Sequence, residues 1–253
     1  STFRDLKTVA TLGSAGVGQQ KLSAIGKTEH EIRAFLQPIS VDLHMVSNPW
    51  SNYNIYLSST LVPGLLMLMI FLISAYSIGT ELKFGTSHEW MRMADGDPWV
   101  AVIGKMIPQT IVFLLIFYGF EFYIYYVLDF PHPGGVWPIL LLGFISVVAS
   151  QSFGVFIFGL APSLRMSMTL CCLLAMLGIS MAGATYPVFA MDGALQLLSW
   201  IFPLRHYYII YQINIFNGFP LLYAWPYWAM LIVFMMLPLF VMRNIYRAML
   251  VYK

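Results

Sequence analysis

Within the run "FYGFEFYIYYVL" a single carboxylate, Glu121, stands among aromatic side chains, with Tyr118 three residues before it and Tyr125 four after. At helical spacing the three share a face, so a phenol hydroxyl can donate to the carboxylate. An ionisable group inside an apolar span is expensive and ordinarily faces a cavity or a partner. Two roles fit: a place on a transport path, or a protonated structural glutamate near the outer end of a span. A second concentration of chemistry lies in "ELKFGTSHEWMRMADGDPW", Glu81 to Trp99. It gathers charges, two glycines and a proline in a chain that is only 9% charged.

No catalytic constellation accompanies these groups. "GSAGVGQQ" has the Gly13 to Gly18 spacing of a phosphate loop, but Gln19 and Gln20 stand where the lysine and the Mg²⁺-binding hydroxyl belong. Nucleotide binding on this chain is therefore rejected. There is no H-e-x-x-H pair, no G-x-S-x-G elbow and no Cys/His spacing for zinc, and Asp129 with His132 resembles no metal site. Cys171 and Cys172 are adjacent, point in different directions on a helix and read as small packing residues rather than a disulfide. The expectation is a non-enzymatic chain with no cofactor or metal of its own.

The elements that must position these residues are membrane helices. Of the 253 residues, 59% are hydrophobic and 16% aromatic, and mean hydropathy is +0.76. A helix crossing the hydrocarbon core needs about 20 mostly apolar residues. Five stretches qualify: about 60–80, 106–128, 137–160, 166–184 and 224–242. They are apolar all round and lack the alternation of a β-barrel, so the fold class is an all-α integral membrane bundle. Ala75 with Gly79 and Ser150 with Gly154 provide small-xxx-small pairs for close packing.

Lys83, Arg92, Lys105, Arg165, Arg243, Arg247 and Lys253 all fall on one side of these spans. That side is predicted to be cytoplasmic, with the C-terminus. Residues 1–58 then lie outside as the end of an extracytoplasmic domain, with "EHEIRAFLQP" a short helix within it. An earlier span is expected to carry them across. A net charge of +2 gives no reason to expect a nucleic-acid partner.

In the Glu81 to Trp99 stretch, Gly85 permits a turn out of the first span. Thr86 and Glu89 have the spacing of a capping box, so a helix is predicted from Ser87 to Asp95, about 13 Å long at 1.5 Å per residue. Gly96 and Pro98 end it. Trp90 and Met93 are placed on one face, for lipid or a partner's groove, with His88, Glu89 and Arg92 offering charge. A capped surface helix without a partner fits equally. The outer segment 187–219 is too apolar for a wet loop and too broken by Pro187, Gly193, Pro203 and Gly218 for one span. Two short helices dipping into the outer leaflet, about 193–200 and 204–216, fit it. Arg205 and His206 there suit Asp192 or lipid headgroups as partners.

Taken in order, "NPWSNYNIYLSSTLVPG", Glu81-x-x-x-Gly85-Thr86, Pro98, "GKMIP", "SFG", Pro187 and "LSWIFPLRHYYIIYQINIFNG" resemble the ABC-2 family of ABC-transporter permeases. Lys83 stands where the family pattern has a second acid, and Gln212 where many members carry arginine. The resemblance implies six spans per subunit, of which five are seen here, in domains 1–58 and 59–253. It implies a second permease subunit and two cytoplasmic ATPase subunits, which bind the ATP and Mg. It makes the helix at 87–95 a coupling helix docking through Glu81, Gly85, Thr86, Ser87, Glu89, Trp90 and Arg92. It makes 187–219 a re-entrant outer gate with Pro187, Pro203, Arg205 and Tyr207. The function expected is an exporter of a hydrophobic or amphipathic substrate in a bacterial inner membrane, with Tyr118, Glu121 and Tyr125 on the path. A proton-driven transporter and an ABC-type machine working on a periplasmic partner are the rivals.

Overall fold

The computed structural model describes residues 53–251, except Pro131 and Thr185. The expectations for the phosphate-like loop, the "EHEIRAFLQP" helix and nearly all of the 1–58 domain fall outside the described residues. Within them there are helices and no strands.

Helix α1, Tyr53–Phe84, carries Pro63 inside it, and α2 is the short Ser87–Met93. Between them Gly85 takes φ +71°, and the Thr86 N–H closes back on the Glu81 carbonyl at 3.0 Å. Helix α3, Pro98–Phe122, starts well before the expected 106. Pro98 ends nothing inside α3; it opens the helix at a position that has no use for its missing N–H, and the Asp97 carboxylate accepts from the Trp99 N–H at 2.8 Å. The last turn widens into a π-helical stretch, Tyr123–Val127.

Helices α4, Val136–Leu160, and α5, Leu164–Met181, follow. Beyond α5 come a 3₁₀ turn (Val188–Ala190), α6 (Gly193–Ser199) and α7 (Pro203–Ile210), which runs into a second π-helical stretch, Tyr211–Phe216. A 3₁₀ turn at Leu221–Ala224 leads to α8, Trp225–Met236, and α9, Pro238–Val251. The single span expected over 224–242 is thus two helices broken at Leu237–Pro238 and reaching further. Pro238 lacks the donor that would join them. The extension was hidden because α9 is amphipathic: Val241, Met242, Ile245, Ala248 and Met249 are buried while Arg243, Asn244 and Arg247 face out.

Five helical stretches are long and apolar enough to cross a membrane: Thr60–Phe84, Pro98–Val127, Val136–Leu160, Leu164–Met181 and Leu221–Leu250. The protein is an all-α integral membrane protein. Helix α4 is its axle, packing on α1, α3, α8 and α9. It can approach so many neighbours because small residues line its contacts. A Cβ at Gly154 would lie 2.9 Å from the Phe71 carbonyl oxygen of α1, and one at Gly159 would lie 2.5 Å from Val241 of α9. In lipid, where apolar side chains gain nothing by hiding from water, such close contact is what holds helices together.

Gly154→Leu therefore costs about 1–3 kcal/mol by overpacking. Gly104→Leu, at a site with open space around the Cβ, is expected to leave the thermal unfolding midpoint in detergent unchanged.

Candidate functional site

Lys105 organises the basic end of the bundle. It sits about two turns into α3, half-buried, and its ammonium meets three groups from other elements. It donates to the Glu81 carboxylate and to the Ser77 carbonyl (2.6 Å), both on α1, and it lies 4.8 Å from the centroid of the Trp90 ring on α2. The Thr86 hydroxyl donates to the other oxygen of Glu81. One carboxylate and one ammonium thereby tie the end of α1, the α1–α2 turn, α2 and α3 into a single unit.

This arrangement corrects three expectations. Thr86 forms no capping box with Glu89, because its hydroxyl is spent on Glu81; its φ of −89° and ψ of 4° are not those of an extended cap. The helix stops at Met93 rather than Asp95. Asp95 and Gly96 are both left-handed, at φ 51° and 80°, and the Gly96 N–H closes on the Met91 carbonyl at 2.9 Å. Trp90 and Met93 do not share a face: Trp90 is 6% exposed and points to Lys105, while Met93 is 79% exposed. Ser87 and Met91 are buried with Trp90. The surface α2 presents is made by Phe84, Gly85, Thr86, His88, Glu89, Arg92 and Met93, an apolar pair flanked by both charge signs. On its inner side α2 packs against α1, α3 and α9.

At the opposite end, Glu121 is buried and accepts from the Tyr207 hydroxyl of α7 at 3.3 Å. Tyr125 and Tyr211 are close enough to interact with the carboxylate electrostatically. Tyr118 does not join them, because its hydroxyl donates to the Leu140 carbonyl at 2.8 Å and so pins α3 to α4. Two groups that sequence kept apart, the path residues and the gate residues, are joined here. Tyr207 also meets Phe117 edge-on at 6.0 Å and Tyr211 at 6.1 Å.

The rest of the 187–219 segment is tied at several polar side chains, although Arg205 Nε, His206 Nδ1 and Gln212 Oε1 are buried without a hydrogen-bond partner among the described residues. Arg205 is buried, donates to the Ser199 hydroxyl and lies 5.5 Å from the centroid of the Trp200 ring, so it pairs with α6 and not with the exposed Asp192. His206 is buried, and its Nε2 donates to the Trp200 carbonyl at 2.9 Å. Asn214 donates to the carbonyls of Phe219 (3.0 Å) and Pro220 (2.9 Å) and accepts from the Trp228 indole at 3.1 Å. Pro203 is buried at the start of α7, and Pro187 is exposed ahead of the 3₁₀ turn.

Two hollows open at the basic end. One, of about 850 Å³, runs between the end of α1 and the α4–α5 turn, with Tyr76, Leu82 and Met166 along it and the exposed cations Lys83 and Arg165 beside them. The other lies between α3, α4, α8 and α9. Among the described residues no group of three or more His, Cys, Asp or Glu is placed to hold a metal ion.

Lys105 entered the sequence reading only as a topological charge. Nothing local marked it, because its partners are 24 and 28 residues away. Two tests follow from this geometry. Lys105→Met is expected to lose about 1.5–3 kcal/mol, since a hydrogen-bonded charge loses its partner, and Lys105→Arg less than half of that; thermal unfolding of the purified protein measures both. A double-mutant cycle of Tyr207→Phe with Glu121→Gln is expected to give a coupling energy of about 0.5–3 kcal/mol, whereas Tyr118→Phe with Glu121→Gln gives additive effects.

Compared with known families, residues 6–242 match the model of the family described as ABC-2 family transporter protein. No curated protein matches the sequence.

Proposed function

Since this chain belongs to the ABC-2 transporter family, we propose that it is the permease subunit of an ATP-driven exporter, driven through the exposed face of α2. The carrying observation is mechanical. Helix α2 presents His88, Glu89, Arg92 and Met93 outward, beside Phe84 at the end of α1, while its inner face is clamped by Lys105 to α1 and α3. A push on the outer face therefore cannot be absorbed by bending a loose loop. It passes to two spans together, as a coupling element between rigid bodies requires.

In this reading cytoplasmic ATPase subunits bind ATP and Mg, close, and displace α2. A second permease subunit, identical or related, completes the translocation cavity, and the bacterial inner membrane is the setting. The open groove flanked by Lys83 and Arg165 offers an amphipathic substrate an apolar wall and two cations at its entry. The hairpin around α6 and α7 is the outer gate, with Glu121 and Tyr207 as its inner contact. Release requires that contact to part, and beside it lie two π-helical stretches, Tyr123–Val127 and Tyr211–Phe216, an irregularity that recurs at functional sites.

The test is co-purification with the ATPase encoded beside this chain. Glu89→Ala, Arg92→Ala and Met93→Asp combined are expected to weaken association at least tenfold, about 1.4 kcal/mol, while leaving the permease's own melting point in place. Trp90→Ala is expected to lower that melting point, because Trp90 faces the bundle. Undiminished association of the triple variant would overturn the docking face. Transport in vesicles driven by a proton gradient without ATP would overturn the exporter reading.

A further inference from the structure

The second hollow is a furrow. Its deep part, of about 380 Å³, lies between α3, α4, α8 and α9 and is walled by residues such as Val102, Met106, Val155 and Met235. A shallower part of about 390 Å³ shares Trp99, Leu239 and Met242 with it and continues to Gly96, Arg243 and Tyr246 at the basic end. We propose that this furrow binds one anionic phospholipid, an acyl chain in the deep part and the phosphate at Arg243.

The walls suit hydrocarbon. Thr110 and Gln151, which reach the deep part beside the hydroxyl of Ser152, are bonded within the wall: Thr110 donates to the Gln151 side-chain oxygen at 2.7 Å, and Gln151 donates to the Met106 carbonyl at 3.3 Å. An acyl chain therefore leaves neither of these groups stripped of a partner. Four methionines, Met106, Met235, Met236 and Met242, supply flexible side chains that conform to an irregular chain. Pro238, at the break between α8 and α9, lies along the same wall.

The mouth suits a headgroup. Arg243 is exposed and has no ion-pair partner among the described residues. The nearby Asp97 carboxylate is turned to the Trp99 N–H, and Trp99 and Tyr246 place amphipathic rings where the membrane meets water. A cation at the rim of an inter-helix furrow is the chemistry that holds a lipid phosphate. The deep part, about 380 Å³, is close to the volume of one turn of a helix roughly 10 Å across, so it has room for a chain and not for a whole helix.

The experiment reads lipids retained by the purified protein. The full-length protein is reconstituted in nanodiscs of phosphatidylcholine, alone or mixed with phosphatidylglycerol, extracted, and weighed by native mass spectrometry. Arg243→Gln is expected to retain severalfold less phosphatidylglycerol, Arg243→Lys to retain wild-type amounts, and Arg247→Gln, one turn on and outside the furrow, to be without effect. Ser152→Phe, which fills the deep part, is expected to lower retention of both lipids. Because Arg243 is exposed, Arg243→Gln is expected to fold, and an unchanged melting point certifies it. A photo-crosslinking amino acid at Leu239 is expected to capture phospholipid. Wild-type retention by Arg243→Gln, equal loss in Arg247→Gln, or a crosslink to protein instead of lipid would each overturn the proposal.

Discussion

A single ammonium that joins two other helices to its own decides what the basic end of this protein can do. Lys105 is only partly in water, held between a carboxylate and a carbonyl on α1 and an indole face on α2. An exposed ion pair of the same composition contributes little, because water screens it and both side chains must be held still. Here the indole shields one side, the carbonyl completes the donor's needs, and Thr86 does the same for the acid. The pair therefore acts as a joint. Without it α2 would be a seven-residue helix whose intrinsic stability is marginal, connected by turns at Gly85 and Gly96.

The other end depends on a different constraint, that a polar group surrounded by apolar ones must find partners within the protein. Glu121 finds Tyr207, Asn214 finds two carbonyls and an indole, and Arg205 finds a serine hydroxyl and a tryptophan face. Irregular backbone is tolerated here because side chains such as Asn214 bond its carbonyls and α1, α4, α5 and α8 pack around it. The hairpin is thus a built plug of buried tyrosines rather than a loop laid over the bundle.

What could be read from sequence followed from how far apart the interacting groups are. The spans were legible because an apolar run of sufficient length has one solution in lipid, but their ends were not. α3 begins early because Asp97 and Pro98 start it and Lys105 is matched by Glu81, and α9 runs on because its polar residues keep to one face. Thr86 and Glu89 had the spacing of a local cap, and a stronger acceptor five residues back in the chain, Glu81, took the hydroxyl instead. Which way Trp90 points depended on a lysine fifteen positions further on. The Glu121 to Tyr207 contact, between residues 86 apart, left no trace in either segment.

The division of α2 into a clamped face and a free one has an evolutionary corollary. Glu81, Lys105 and Trp90 answer to one another inside this chain, so a change at one of them is tolerated only with a matching change at another. Glu89, Arg92 and Met93 answer to nothing within the described residues, so they are free to drift with whatever protein meets them. The exposed letters of α2 can in this way be rewritten one at a time, while the joint beneath them changes only as a set.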